Sequence, residues 1–316
     1  MEYMPTLTML VGISGAGKST FVHKFTPYAD ILSSDDLRME LYGDVNDQEH
    51  NTEVFTELHR RCKELLRKGR SVCLDCTNIS RKKRMAFLKE LKNIRCKKVC
   101  VLIAVPFQIC CARNFARERQ VPVEALESMY KNFNVPAYAE GWDEIQISFG
   151  DYDKLPGFEF DYKTDLDRWK SIKHDNPNHT LTIGEHIETA AYLYMKSCEG
   201  KQLLNEHIFR ALMLHDCGKP EVKSYYNGKG EFDPNHAHYY NHQNIGSYLS
   251  LFYLRNMKPE WDDKDILYTA LLIELHMNPF IKWRDSDKAK KKDEKLFGEE
   301  CIKHIEEINF FDIAAH

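Results

Sequence analysis

The chain has 316 residues, of which 43% are hydrophobic and 12% aromatic, and its formal net charge is −4. This length is about twice that of a typical domain and predicts two domains. The weak negative charge argues against a general nucleic-acid coat protein, which is usually basic. No apolar run approaches the roughly 18 residues that a membrane span needs, and ten cysteines in so long a chain do not suggest a disulfide scaffold. We therefore expect a globular cytoplasmic protein.

The first 150 residues alternate between short apolar segments and amphipathic segments. Apolar segments that suit buried strands lie at 6–11, 71–75 and 98–105, with a further candidate at 144–149. Helical spacing of apolar residues recurs over 46–68, 81–92, 107–120 and 123–133. Strands that alternate with helices predict an α/β domain, a parallel sheet flanked by helices.

The pattern changes near residue 151, where the polar, turn-rich segment 150–157 predicts a domain boundary. Beyond it almost no strand signal remains, and helical periodicity recurs at 182–198, 205–214, 239–255, 263–276 and 292–308. We therefore expect an α/β domain at 1–150, a linker at 151–170 and an all-α domain at 171–316.

A glycine-rich loop follows the first predicted strand. Residues 12–19 match the pattern G-x-x-x-x-G-K-[ST], between a strand and a helix as this motif requires. In the motif, backbone N–H groups wrap the phosphates, the lysine reaches the β- and γ-oxygens, and the serine hydroxyl binds Mg²⁺. The loop thus predicts ATP and Mg²⁺ binding by Gly12, Ser14, Gly15, Ala16, Gly17, Lys18, Ser19 and Thr20.

A kinase also needs a base for the acceptor hydroxyl and cations over the transferred phosphoryl group. Asp35 follows a short apolar segment, at the place where the carboxyl end of a strand faces the nucleotide, and Arg38 lies one helical turn further on. A helix-capping role explains Asp35 equally well. Arg113, Arg117 and Arg119 fall on one predicted helix, and the first two, spaced i and i+4, suggest a lid over the phosphates. A solvated helix face is the alternative.

Residues 1–140 resemble the polynucleotide 5′-kinase domain of T-even phage end-repair enzymes. The resemblance rests on the phosphate loop, the segment 34–38, the Arg-Asn pair at 113–114 with the arginine at 117, and the segment 121–131. It implies that Asp35 is the general base, that Arg38 binds a phosphate of the acceptor strand, and that Arg113 and Arg117 are lid cations. Asp75 resembles an acid of that family displaced by one residue, and its role stays open.

Histidine is concentrated in the helical half, which holds eleven of the fourteen. The pair His215-Asp216 follows an apolar helical segment, and such a pair by itself is often a structural hydrogen bond. Companion residues on other predicted helices, and after the last of them, strengthen the case for a metal site: His186, His242, His276 and Asp312. Nitrogen and oxygen ligands without thiolates favour Mn, Fe, Co, Ni or Mg over a structural zinc site.

Residues 171–316 resemble the HD phosphohydrolase superfamily. The matching segments are 178–179 with the histidine at 186, 214–220, 241–243, 274–276 and Asp312 near the end. The resemblance implies one metal ion held by His186, His215, Asp216 and Asp312. It implies a second ion held by His242 and His276, with Asp216 bridging.

The same resemblance implies that Lys219 faces the substrate phosphate. His174 or His179 would then be placed to protonate the leaving oxygen, although each is equally well explained as a hydrogen-bond donor in a loop.

The two halves together predict an end-healing enzyme. It would phosphorylate 5′-hydroxyl ends of RNA or DNA with ATP and remove a 2′,3′-cyclic phosphate or a 3′-phosphate, and an RNA ligase is a candidate partner. Phage enzymes of the resembled group pair their kinase with a different phosphatase fold, so the second activity rests on analogy. Two alternatives stay open: a small-molecule or nucleoside kinase fused to a nucleotide phosphohydrolase, and an ATP-gated nucleic-acid-binding protein.

Overall fold

The computed structural model describes residues 4–25, 28–151, 158–177, 180–200 and 204–316. The chain divides into two compact units, Met1–Met129 with Pro136–Pro156, and Tyr130–Val135 with Gly157–His316. The chain thus passes from the first unit to the second after Pro156, a few residues beyond the boundary expected near residue 151. The short segment Tyr130–Val135, in the first half of the chain, also belongs to the second unit. Among the described residues, no helix is both long enough and apolar enough to cross a bilayer.

The first unit is built on a five-stranded sheet, as its alternating pattern predicted. Its strands are β1 (Thr6–Val11), β2 (Asp30–Ser33), β3 (Val72–Asp75), β4 (Lys97–Ile103) and β5 (Glu144–Ser148). They lie in the order β2-β3-β1-β4-β5, and every neighbouring pair is parallel. The carboxyl ends of β1, β2 and β3 therefore meet at one edge, which brings residues 12–19, 34–38 and Asp75 together.

The helices of this unit flank the sheet. They are α1 (Lys18–Phe25), α2 (Ser34–Tyr42), α3 (Asn51–Arg67), α4 (Arg81–Glu90), α5 (Phe107–Phe115) and α6 (Val123–Lys131). α3 buries Val54, Leu58, Cys62 and Leu66 at i, i+4 spacing, the stripe that identified it in the sequence. It begins at Asn51 rather than near residue 46, because side chains in the preceding turn bond to backbone N–H groups, Asp44 to Asn46 and Asp47 to His50.

The predicted helix 107–120 is wrong in its second half, since α5 ends at Phe115. The Asn114 side chain is fully buried and binds both backbone groups of Val121, accepting from its N–H and donating to its C=O, each at 2.9 Å. Val121 also precedes a proline, which disfavours helical backbone there. Residues 116–121 therefore form a closed loop that carries Arg117 and Arg119.

A buried ion pair ties α4 to the turn at Tyr138–Glu140. The Glu140 carboxylate has a fully buried side chain and accepts from Arg84 Nε at 2.7 Å, Arg84 Nη2 at 2.6 Å and Trp142 Nε1 at 3.1 Å. Burial by itself would raise the pKa of Glu140, but the two neighbouring arginines outweigh it and lower that pKa.

Among the described residues of the second unit, the regular elements are helices, joined by loops that contain isolated antiparallel bridges. Its helices are α7 (Tyr162–Trp169), α8 (Ile183–Cys198), α9 (Glu206–Leu214), α10 (Lys219–Val222), α11 (His242–Met257), α12 (Asp263–Leu275), α13 (Asp287–Phe297) and α14 (Glu299–Ala314), with a π-helical turn at Pro279–Trp283. α12 is an interior helix of this unit, since nearly every residue from Ile266 to Leu275 is buried.

Two expectations about this half need correction. The expected linker 151–170 contains α7, whose Leu166 and Trp169 are buried. The single helix expected at 292–308 is two helices, because Gly298 has φ of +91° and ends α13. A left-handed residue of this kind cannot continue a helix, and glycine adopts it without steric cost.

Candidate functional sites

The phosphate loop runs between β1 and α1, as its motif predicted. Gly15 and Gly17 have φ of +90° and +97°, values that residues with a Cβ rarely adopt. A Cβ at Gly15 would also lie 2.3 Å from the carbonyl oxygen of Cys110. Only glycine therefore fits at this position, where the loop is pressed against α5.

Cationic side chains line this loop. Lys18 Nζ donates to the carbonyl oxygens of Gly12 at 3.1 Å and Ile13 at 3.0 Å, so the lysine lies along the loop it is expected to serve. Loss of solvation lowers the pKa of Lys18, and the Asp75 carboxylate opposes that shift. Arg113, in the last turn of α5, donates from Nη1 to the carbonyl oxygen of Ala16 at 3.4 Å.

The two predicted lid arginines thus do not share one helix face, because one lies in a helix and the other in a loop. Arg113 lies over the phosphate loop from α5, whereas Arg117 is exposed in the loop beyond the end of that helix. The positive charge of Arg117 also contributes to the lowered pKa of Lys18. Both side chains therefore remain candidates for contact with a transferred phosphoryl group.

Asp35 lies in the first turn of α2 and does not cap it. Ser33 is the cap, since its hydroxyl accepts from the backbone N–H groups of Asp35 and Asp36. The carboxylate of Asp35 is half exposed and is bound on both sides, by Arg38 Nη1 at 2.9 Å and by Arg119 Nη1 at 2.7 Å. The capping alternative for Asp35 is thereby removed.

Arg38 is a buried cation with spare hydrogen-bonding capacity. Only 6% of the residue is exposed, and Nη2 donates to Asn51 Oδ1 at 2.6 Å. Its Nε is buried and has no hydrogen-bond partner. An unpaired buried guanidinium donor is costly unless an anion completes it, so this arrangement suits a phosphate ligand.

Arg119, which the sequence grouped with the two lid arginines but gave no role, also belongs to this site. In addition to its contact with Asp35, Arg119 donates from Nε to Asn46 Oδ1 and from Nη2 to the carbonyl oxygen of Val45, each at 2.8 Å. It therefore links the lid loop to the turn before α3. No local spacing rule relates residue 119 to residues 35 and 46, so only the fold reveals the contact.

In the second unit, five helices bring together all six side chains that the sequence marked as metal ligands. His186 lies in α8, His215 and Asp216 follow α9, His242 begins α11, His276 follows α12, and Asp312 lies in the last turns of α14. Each residue is at most 6% exposed. Two overlapping ligand groups result, one around His186, His215 and Asp216 and one around Asp216, His242 and His276.

Asp216 faces both groups, with a different oxygen in each. Oδ2 lies 3.5 Å from His186 Nε2 and 3.4 Å from His215 Nε2. Oδ1 lies 3.4 Å from His242 Nε2 and 3.9 Å from His276 Nε2. This is the arrangement expected of a carboxylate that bridges two ions.

Asp312 completes the first group, because its Oδ1 lies 2.9 Å from His186 Nε2 and 3.5 Å from His215 Nε2.

The hydrogen bonds of His242 and His276, in the second ligand group, favour a bound cation. Nδ1 of His242 lies 2.8 Å from the carbonyl oxygen of Tyr239, and Nδ1 of His276 lies 2.6 Å from that of Ile273. A carbonyl can only accept, so both Nδ1 atoms carry the proton, and burial lowers the pKa of these histidines to about 3 and about 4. Their Nε2 lone pairs then face each other at 3.3 Å, which is repulsive unless a positive ion lies between them.

The electrostatics of the first ligand group also favour bound positive charge. Burial would lower the pKa of His215, but the carboxylates of Asp216 and Asp312 raise it above its usual value. The neighbouring cations hold the pKa of Asp216 well below normal despite its burial. Asp216 Oδ2 has no hydrogen-bond partner, although Lys219 Nζ forms an ion pair with it at 2.6 Å. The donor set therefore fits divalent ions.

Both ring nitrogens of His174 have neighbours, which favours the alternative of a hydrogen-bonding role in a loop. Its Nδ1 donates to the carbonyl oxygen of Leu181 at 2.8 Å, and its Nε2 lies 3.2 Å from Lys219 Nζ, from which it accepts. Burial and the Lys219 charge lower the pKa of His174 to about 4. His174 thus orients Lys219, while His179, the other histidine proposed for proton transfer, lies outside the described residues.

Comparison with known proteins bears mainly on the first unit. Residues 7–136 match the model of a family described as an AAA domain. The L-seryl-tRNA(Sec) kinase of Methanococcus maripaludis is 26% identical over 185 residues, which cover 57% of this chain and 69% of that protein. The first unit is a P-loop domain of the kinase type.

Solved structures show more distant likeness. A chain of the Pnkp1/Rnl/Hen1 RNA repair complex is 22% identical, with a TM-score of 0.35, and the match covers 42% of this chain and 45% of that chain. A gluconokinase from Sinorhizobium meliloti is 15% identical, with a TM-score of 0.34, over 46% of this chain and 83% of that chain. Likeness at this level carries no inference about substrate.

Proposed function

We propose that the protein heals nucleic-acid ends. The first unit would transfer the γ-phosphoryl group of ATP to a 5′-hydroxyl of RNA or DNA. The second would remove a 2′,3′-cyclic phosphate or a 3′-phosphate with the help of divalent transition-metal ions. An RNA ligase is a fitting partner, because these two reactions produce the ends that a ligase joins.

The pairing of Asp35 with Arg38 supports the kinase half of the proposal. Asp35 would accept the proton of the acceptor hydroxyl as its oxygen attacks the γ-phosphorus and ADP leaves. The buried Nε of Arg38, which has no partner, would bind a phosphate of the same acceptor. A relative named as a kinase of seryl-tRNA is consistent with an acceptor that belongs to an RNA molecule.

The remaining cations of the first unit would act on the nucleotide. Lys18 and Arg113 lie along the phosphate loop, and Arg117 lies in the lid beside it. In phosphoryl transfer, charge builds up on the equatorial oxygens and on the leaving oxygen, where such cations stabilise the transition state. Ser19 would hold Mg²⁺.

The single observation that carries the second half is the convergence of four histidines on the two oxygens of Asp216, with Asp312 beside two of them. His186, His215 and Asp312 would hold one ion and His242 and His276 a second, with Asp216 shared. Ions at such a site act as Lewis acids towards water and the phosphoryl group. Lys219, oriented by His174, would bind a substrate phosphate oxygen.

One substrate tests both halves. An oligonucleotide with a 5′-hydroxyl and a 2′,3′-cyclic phosphate is followed by mass spectrometry, with and without ATP and Mg²⁺, and with and without Mn²⁺ or Ni²⁺. Asp35→Ala is expected to abolish only the gain at the 5′ end, and Asp216→Ala only the change at the 3′ end. Asp36→Ala is the matched control for the first variant, since Asp36 is the adjacent acid on the same helix turn.

Different failures would point to the alternatives. Phosphorylation of free nucleosides but not of the oligonucleotide would replace the polynucleotide acceptor with a small molecule. Unchanged ends under every condition, with retained nucleic-acid binding, would favour an ATP-gated binding protein.

A further inference from the structure

Three aromatic rings form a parallel stack on the segment that leads into α11. The ring centroids of His236 and His238 are 4.9 Å apart with an interplanar angle of 20°, and those of His238 and Tyr240 are 5.4 Å apart with an angle of 7°. We call these three residues the ring ladder. Their spacing is that of extended chain, in which every second side chain lies on the same face.

The opposite face of this segment points into the metal-ligand region. Ala237 is fully buried, and the Tyr239 hydroxyl donates to the carbonyl oxygen of His174. Lys219 Nζ lies 5.5 Å from the centroid of the Tyr239 ring. The segment thus has one side at the metal-ligand group and the ring ladder on the other.

Neighbouring groups hold the ring edges in place. Asn176 Nδ2 lies 3.2 Å from His236 Nε2, and the Tyr240 hydroxyl accepts from the backbone N–H of Gly228 at 3.0 Å. The backbone of His238 pairs in both directions with Ser224. Contacts of this kind fix the planes of the rings through their edges, so little conformational entropy is lost when another flat group stacks on them.

Exposed aromatic rings accompany the ladder, of which Tyr240 is the exposed member and the two histidines are half-buried. Tyr240 is 53% exposed, and the nearby Tyr226 and Phe232, whose ring centroids are 5.3 Å apart, are 57% and 59% exposed. A concentration of exposed aromatic rings commonly marks a binding surface. Residues 223–241 contain two lysines and two acids, so stacking rather than charge must supply affinity here.

The ladder is continuous with the candidate metal centre. Tyr240 and His242 are two residues apart, which is at most about 7 Å of chain. Asn241 between them has φ of +64°, a left-handed turn that redirects the chain from the ladder into α11.

We propose that the ring ladder is a stacking platform for nucleobases of the strand whose 3′ end enters the metal-ligand group. The ligand class is a single-stranded nucleic-acid end, recognised by its base faces rather than by its sequence, because every base has a π-face. This proposal rests on the proposed function of the second unit, and it specifies which substrate that site prefers.

Binding tests the ladder without any turnover. The affinity of the full chain is measured by fluorescence anisotropy for a 5′-phosphorylated oligonucleotide and for an abasic oligomer of equal length, with no ATP or metal added. The preference for the base-bearing oligomer is expected to fall about tenfold in Tyr240→Ala. Tyr240→Phe keeps the ring and should keep the preference. Tyr192→Ala, which removes an exposed tyrosine of α8, should also keep it.

His238→Ala interrupts the ladder at a second point and is expected to shift the preference in the same direction. An unchanged preference in both ladder variants would overturn the proposal.

A hydrolysis assay distinguishes failure of the ladder proposal from failure of the proposed phosphohydrolase activity. Hydrolysis of the 2′,3′-cyclic phosphate to a monoester is compared for a nucleoside 2′,3′-cyclic phosphate and for a dinucleotide that ends in one. A higher KM in Tyr240→Ala for either substrate supports the platform and shows which base it takes, whereas an unchanged KM for both contradicts it. Absence of hydrolysis by the unaltered protein would refute the phosphohydrolase function, and the binding measurement would still decide the ladder.

Discussion

Binding of divalent ions should stabilise the second unit strongly. The six candidate ligands come from five helices, so they converge only in the folded state, and an ion that binds there binds the native protein almost exclusively. At an ion concentration about 100 times Kd, this linkage raises the free energy of unfolding by about 2.7 kcal/mol. For a unit of about 160 residues, each kcal/mol shifts Tm by roughly 2–4 °C, which predicts a rise of about 5–11 °C.

Tryptophan fluorescence is a suitable assay for this shift. Three of the four tryptophans, Trp169, Trp261 and Trp283, lie in the second unit, and only Trp142 lies in the first. Thermal unfolding is recorded at increasing Mn²⁺, Co²⁺ or Ni²⁺ after treatment with a chelator. The Tm of the second unit should rise with ion concentration. The thermal stability of the first unit, followed by its loss of nucleotide binding, should not change.

Variants locate the effect within the ligand set. His186→Ala should weaken the first ligand group and His242→Ala the second, so each should lose part of the shift, and Asp216→Ala should lose most of it. His207→Ala is the matched control, because this histidine of α9 is bonded to Thr269 and lies outside both groups. An equal shift in Asp216→Ala and in the unaltered protein would refute the assignment of these ligands.

Three further predictions concern stability and nucleotide binding. In metal-free protein, the free energy of unfolding should fall as pH drops from about 6.5 towards 4. The reason is that the lowered pKa values keep His242 and His276 unprotonated in the folded state, whereas the same histidines bind protons in the unfolded chain. Urea titrations at several pH values measure this dependence, and an unfolding free energy that does not change with pH would contradict it. Glu140→Gln should destabilise the first unit by about 3–5 kcal/mol, since a buried arginine loses its partner, whereas Glu144→Gln, which removes a half-exposed pair, should cost at most about 1 kcal/mol in the same urea titration. Gly15→Ala should abolish ATP binding measured by calorimetry, because the added Cβ would overlap a backbone oxygen; binding at normal affinity would contradict the tight loop geometry.

The two halves of the chain differ in how readily their sites could be predicted. The phosphate loop is contiguous, so Gly12 to Ser19 identify it by themselves. The metal-ligand group is assembled from residues 126 positions apart, as in the contact between His186 and Asp312. Its members were predicted only because His215 and Asp216 are adjacent and because the wider pattern resembles a known superfamily.

Apolar periodicity failed to mark helix ends that are set by a single side-chain contact or by the backbone conformation of one residue. α5 is shorter than its periodicity suggests because Asn114 binds Val121, and α14 is separate from α13 because Gly298 takes a left-handed conformation. Between α13 and α14 the apolar spacing continues past the break, so periodicity alone could not mark it.

The sequence by itself determined the nucleotide loop and the alternation that produces a parallel sheet, because each depends on residue type and short-range spacing. Tertiary structure alone decided that Arg119 binds Asp35, that the two oxygens of Asp216 face different histidines, and that His174 Nε2 lies against Lys219. Those relations depend on which atoms approach within hydrogen-bonding distance, and that is set by the packing of helices and loops far apart in the chain.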